Sequence, residues 1–232
     1  MKLAICLQSC GRHDLTTQTL ESFHRYNGQR LTAPFDTFRI AAEDGGVDPQ
    51  NIKLAKSYGF VDVSPSKRLG NTRCRHHLIH RASKMGATHV LLWENDWESI
   101  REVPWDAVNY CFAHSDIYHM RLWHEWKIPR KYHAWVEAGR PKYISRHRGR
   151  NGADPGWKLL TGAPEPIEVG SIHWSAPPAI TRIDEALWLH QAVRAESGSI
   201  KKSGELDLHV ARVMENVVWH IGEARRTEEF RR

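Results

Sequence analysis

Two acidic clusters fall where chemistry is easiest to build. Glu43-Asp44-Gly45-Gly46 follows the strand-like run 35–42, and Glu94-Asn95-Asp96 follows the β-prone run THVLLW at 88–93. Carboxylates just beyond buried parallel strands gather at one edge of a sheet, where α/β proteins bind ligands. Oxygen ligands of this type suit Mg²⁺ or Mn²⁺, and such an ion can neutralise the charge left on a departing diphosphate. Asp96, with Glu94, is placed to hold that ion, and Asp44 to hydrogen-bond a ribose or a base edge. The competing reading gives both aspartates ordinary work in turns and helix caps.

Positive charge lies close to these clusters. Asn71, Arg73 and Arg75 open a helix just before the second acidic strand, and Lys67-Arg68 precede them. A helix N-terminus offers unpaired N–H groups to an anion, and a guanidinium can grip phosphate with two parallel hydrogen bonds. Farther along, Trp123-His124-Glu125-Trp126, His173-Trp174 and the basic run 140–150, with Arg146 and Arg148, combine stacking surfaces with cations. These residues are candidates for an acceptor side that handles a base, a sugar or a phosphate backbone.

The elements that must position these groups alternate in type. Residues 2–8 read as a buried strand, and Asp14 as the cap of a helix to about Tyr26. A strand over 35–42, a short helix after Asp48-Pro49, and a brief strand over 59–63 follow. Asn71 is read as the cap of a helix whose inner face carries Leu78, Ala82 and Met85, ended by Gly86. Beyond residue 97 the pattern predicts a helix over 104–111, a strand over 116–122, helices over 180–193 and 206–214, and a strand over 217–219. The expected architecture is one α/β domain with a Rossmann-like, mostly parallel sheet and helices on both faces. Residues 1–97 form its nucleotide-binding half, and 98–232 an elaborated acceptor-side half.

The layout resembles the GT-A glycosyltransferases, especially the large inverting family that includes polysaccharide synthases. The matching pieces are Ala4 to Gln8 with Arg12, Glu43-Asp44-Gly45, Asn71 to Arg75, and Val90 to Asp96, within residues 2–97. The second acidic motif departs from the family's Asp-x-Asp form by opening with Glu94. The resemblance implies a nucleotide-sugar donor, UDP-sugar favoured, held by Gln8, Arg12, Asp44, Asn71, Arg75, Glu94 and Asp96. It also implies Mn²⁺ or Mg²⁺ at Asp96, with His220 of Trp219-His220-Ile221-Gly222 as a further ligand. A late acidic residue at a helix start supplies the general base in this family, which points to Asp184, with Glu185 beside it.

The totals narrow the acceptor. The 232 residues carry a formal net charge of +6, ten tryptophans and fifteen histidines. A basic surface invites polyanions. No run approaches the roughly 20 apolar residues that cross a bilayer, and MKLAICLQSC suits a first strand better than a signal peptide. Cys6, Cys10, Cys74 and Cys111 form no CxxC pair and read as free thiols in a reducing, cytoplasmic setting, the host's if the chain is phage-encoded. The combined expectation is a soluble glycosyltransferase acting on hydroxymethylated pyrimidines in DNA, as some bacteriophage enzymes do. The alternatives are transfer to a saccharide or cell-envelope acceptor, a non-catalytic nucleic-acid-binding protein, or a nucleotidyltransferase. The last would more naturally carry a glycine- and lysine-rich loop where Ser9 to Asp14 has one glycine and no lysine.

Overall fold

The structure is a computed structural model, and it describes residues 1–28, 35–114, 116–123, 156–170, 178–190 and 209–221. A nine-stranded sheet in the order β3-β2-β1-β4-β9-β6-β10-β8-β7 draws strands from both halves of the chain. Its first half comprises β1 (Lys2–Ser9), β2 (Asp36–Glu43), β3 (Val61–Asp62) and β4 (His89–Glu94), all parallel. The second half adds β6 (Ile117–Arg121), β7 (Lys158–Leu159), β8 (Ile167–Gly170), β9 (Ala179–Arg182) and β10 (His209–Val213). Here β8 and β9 run against the common direction, whereas β6, β7 and β10 keep it. A separate two-stranded ribbon pairs β5 (Trp97–Ser99) with β11 (Val218–His220).

Helices cover both faces because the central strands are apolar on both. On one face, Leu3, Ile5, Leu7, Leu91 and Trp93 meet α1 (His13–Asn27), α2 (Pro49–Ser57) and α4 (Trp105–Ala113) through Leu20, Phe23, Ile52 and Val108. On the other, Ala4, Cys6, Val90 and Leu92 meet α3 (Asn71–Lys84) and α5 (Ile183–His190) through Leu78, Ile79, Ala82 and Ile183. Each Leu, Ile or Val side chain removed from water in this way stabilises the fold by about 1.5–3 kcal/mol. The four cysteines are unpaired, with Cys6, Cys74 and Cys111 buried. Among the described residues, no helix is long and apolar enough to cross a membrane.

Several expected elements shift. The span read as a helix from Ile180 to Val193 is instead a strand followed by a helix, with Ile180 and Thr181 in β9 and α5 starting at Ile183. Residues 209–213 of the 206–214 segment are strand, with Val210, Ala211 and Val213 buried between β6 and β8. Arg12, not Asp14, occupies the cap position of α1, and Gly70, not Asn71, that of α3. Gly70 has φ +82°, which a side-chain-bearing residue rarely adopts. Met85 lies at the end of α3, 38% exposed, rather than on its inner face.

Candidate functional site

A cleft of about 620 Å³ opens over the carboxyl ends of β1, β2 and β4. Gln8, Arg12, Asp44, Asn71, Glu94, Asp96 and His220 line it, so the sequence-predicted donor and metal residues converge there, with Arg75 the exception.

Asp96 is the centre of the arrangement. The turn that carries it is fastened on all sides. Asn95 N–H donates to the Gln8 carbonyl at 2.9 Å, and the Trp93 indole N–H to the Trp97 carbonyl at 2.9 Å. The Asn95 amide donates to Thr16 Oγ1 at 2.9 Å and to the Gly11 carbonyl at 3.1 Å. The β5–β11 ribbon brings His220 across the fold, with Ile221 N–H on the Asp96 carbonyl at 2.8 Å. His220 Nε2 lies 3.3 Å from Asp96 Oδ2, the same oxygen that accepts from Arg12 at 2.9 Å. The other oxygen, Oδ1, is buried and has no hydrogen-bond partner among the described residues. Burial raises the pKa of the Asp96 carboxyl. The hydrogen bond and charge of His220, then the charge and hydrogen bond of Arg12, outweigh this and hold it below its ordinary value.

The first acidic turn is wired differently. The Glu43 side chain is fully buried and accepts from Ser9 Oγ, Gly11 N–H at 2.6 Å, Asn51 Nδ2 at 3.0 Å and Asp48 N–H at 3.2 Å. Asp44 accepts from Leu69 N–H at 2.7 Å and Gly70 N–H at 2.8 Å, one on each oxygen. Gly45 has φ +78°, and a Cβ there would stand 2.7 Å from the Arg68 backbone. The turn therefore docks the 68–70 loop against β2, and Asp44 faces the cleft with both carboxylate oxygens already engaged.

Between these turns, Gln8 Nε2 donates to the carbonyl and to the side-chain oxygen of Asn71, each at 3.1 Å. That orientation leaves Gln8 Oε1 buried, with no hydrogen-bond partner among the described residues. Arg75 is buried, paired with Glu94 and also bonded to Asn71 Oδ1 at 3.2 Å, so it supports the cleft from behind. Arg68 lines the cleft instead. Sequence reading noted Arg68 only as nearby charge, and it passed over the Asn95 and Glu43 staples because their value lies in contacts far along the chain. Ser9, Cys10, Leu15 and Gly70 also line the cleft and carry no sequence signal of their own.

Trp123, an acceptor candidate, follows β6 and packs edge-on against Trp97 at 5.9 Å, and Trp97 in turn lies 4.8 Å from the His220 ring. Trp126, Arg146, Arg148, His173 and Trp174 lie outside the described residues. The general-base candidates are a correction. β9 runs antiparallel to β4, and Ile183 N–H bonds the Thr88 carbonyl, so α5 begins at the amino end of β4. Asp184 and Glu185 are thereby separated from Asp96 by the length of β4, roughly 17 Å at the usual strand rise. They are not part of this cleft.

Among the described residues, no cluster of three His, Cys, Asp or Glu side chains could hold a metal ion. The Asp96 carboxylate and His220 Nε2, 3.3 Å from Oδ2, nevertheless offer a partial ligand set for Mg²⁺ or Mn²⁺, which commonly complete their shell with substrate phosphates and water.

No protein-family profile matches the sequence. A search of curated proteins finds no relative. Solved structures do share its shape. S. aureus TarS superposes with a TM-score of 0.58 at 11% identity, over 95% of this chain and 36% of TarS. TarS 1–349 in complex with UDP gives 0.56 at 12%, over 94% and 60%. The chain thus spans little more than a third of full TarS. CMP:2-keto-3-deoxy-manno-octonic acid synthetase complexed with CTP gives 0.55 at 10%, over 100% and 97%. At such identities the likeness is one of architecture, and the chain has the Rossmann-like, GT-A-type α/β fold.

Proposed function

We propose that this protein is a glycosyltransferase that moves a sugar from a nucleotide-sugar, UDP-sugar favoured, to a hydroxyl acceptor with the help of Mn²⁺ or Mg²⁺. The observation that carries this reading is Asp96 at the carboxyl end of β4, whose carboxylate lines a cleft together with His220 and Arg12. When bound, the cation neutralises charge on the diphosphate leaving group. Asp96 and His220 would hold it, while Arg12 and Arg68 grip phosphate oxygens. Gln8 Oε1 is an acceptor for a ribose hydroxyl or a base N–H, and Asp44 and Asn71 shape the same wall. The deciding assay is turnover of UDP- and GDP-sugars by the purified chain with Mn²⁺ or EDTA. Metal-dependent release of nucleoside diphosphate is the expected result, and no turnover or nucleotide binding across the panel overturns the reading.

For the acceptor we favour a hydroxymethylated pyrimidine in DNA. The net charge of +6 and the Arg146 and Arg148 run support it, with Trp123, Trp126, His173 and Trp174 as stacking surfaces for an exposed or flipped base. Transfer to modified DNA but not to simple saccharides is the expected outcome. Transfer to saccharides alone replaces this acceptor with a cell-envelope one.

A second reading, nucleotidyl transfer to a sugar, is favoured by one observation. The CTP-complexed synthetase matches this chain over nearly the whole of both. Product analysis separates the two, because nucleotidyl transfer releases pyrophosphate from a nucleoside triphosphate, and glycosyl transfer releases nucleoside diphosphate.

A further inference from the structure

Arg12 stands in an unusual place. It is the only non-glycine with positive φ among the described residues, at φ 54° and ψ 57°. L-residues avoid this left-handed region, so the surroundings must hold it there. They do. Glu43 takes the Gly11 N–H and the Ser9 hydroxyl, Asn51 and Asn95 donate to the Gly11 carbonyl, and Thr16 N–H closes the first helical turn on the Arg12 carbonyl. The loop thus delivers a guanidinium to one carboxylate. One arm donates to Asp96 Oδ2 at 2.9 Å, and the other to Asn95 Oδ1 at 2.9 Å. The Arg12 side chain is 42% exposed and that of Asp96 10%, so the pair lies on the cleft wall with the guanidinium reachable from solvent.

A divalent cation approaching Asp96 meets this fixed positive charge at the same carboxylate. Two like charges so close repel strongly at a partly buried site. A diphosphate changes the balance, since it offers Arg12 a better bidentate partner and supplies the cation with further oxygen ligands. We propose that Arg12 is a displaceable internal counter-ion of Asp96, which excludes divalent cation from the site until a nucleoside diphosphate group draws it away. Metal and nucleotide then enter together, and the site stays neutralised between turnovers. This rests on the reading of Asp96 as the cation-holding residue.

The test is Mn²⁺ binding to the full chain, followed by the loss of free-ion signal in electron paramagnetic resonance, with and without UDP. Arg12→Gly suits the left-handed backbone and removes the charge, and Arg12→Lys keeps the charge without the fork. Without UDP, Arg12→Gly is expected to bind Mn²⁺ about tenfold more tightly than the wild type, within the usual range of coupling between sites, while Arg12→Lys stays weak. UDP should tighten Mn²⁺ binding strongly in the wild type and much less in Arg12→Gly. Equal or weaker nucleotide-free binding by a folded Arg12→Gly overturns the proposal. Asp96→Asn separates the two levels. If it abolishes Mn²⁺ binding while Arg12→Gly changes nothing, the counter-ion role fails and the metal reading stands. If it leaves Mn²⁺ binding intact, both fail.

Discussion

The two acidic turns have nearly the same composition and opposite wiring. Glu43 and Asp44 direct their oxygens at backbone N–H groups and neutral side chains, which fixes the β1–α1 loop and the loop before α3. Glu94 and Asp96 face cationic side chains instead, and Asp96 keeps one buried oxygen without a partner among the described residues. A carboxylate saturated by backbone donors is a structural staple, whereas Asp96, held by the solvent-reachable Arg12 guanidinium, can exchange that partner for a ligand. The first turn builds the cleft, and the second is equipped to work in it.

Substitutions should split along that line. Asp96→Asn keeps the shape and removes the charge, and we expect transfer to fall by about 10²–10³-fold with little change in melting temperature. A large melting shift with activity retained would reverse the roles of the two turns. Glu43→Gln should do the opposite, because an amide cannot accept from four donors, and stability should drop by about 2–4 kcal/mol in denaturant titration. Asp44→Asn sharpens the contrast with about 1–3 kcal/mol from one misplaced N–H pair. If it instead weakens nucleotide binding without touching stability, Asp44 is a ligand contact first.

The amino ends of the strands provide the quiet side of the comparison. Burial, then the charges of Arg182 and the N-terminus, lower His89 to about 4, so its ring is neutral in the folded state. An unfolded histidine protonates near 6.5. The stability it confers is therefore complete above that value and lost as pH falls from about 6.5 to 4, by on the order of 3 kcal/mol. His89→Gln should flatten this limb of the stability curve. Asp184→Asn, at the same end, should change turnover by less than about twofold. A severe loss of turnover would mean that the chain has a second site there.

Much of the site could be read from the sequence because buried parallel strands announce themselves as continuous apolar runs, and acidic residues directly after them must sit at a common edge. β1, β2 and β4 with Asp44 and Asp96 followed from that logic, whereas Gln8 and His220 entered through the resemblance to the GT-A glycosyltransferases. Strand direction was not legible. Nothing in Ile180 to His190 says that β9 runs against β4, and that reversal carries Asp184 to the far end of the sheet. The 206–214 segment failed for a related reason, since short apolar runs look alike in a buried strand and a buried helix. Burial of Val210, Ala211 and Val213 between neighbouring strands decides it. The staples from Glu43, Asn51 and Asn95 to the Arg12 loop were invisible because each joins residues dozens of positions apart.

The most direct test of the second turn as the working one is calorimetric titration of UDP into the full chain, with Mn²⁺ and with EDTA, for wild type, Asp96→Asn and Asp184→Asn. Metal-dependent binding that Asp96→Asn abolishes and Asp184→Asn preserves is the predicted result. Nucleotide binding indifferent to both Mn²⁺ and Asp96→Asn would contradict it, and would move the site away from the carboxyl end of β4.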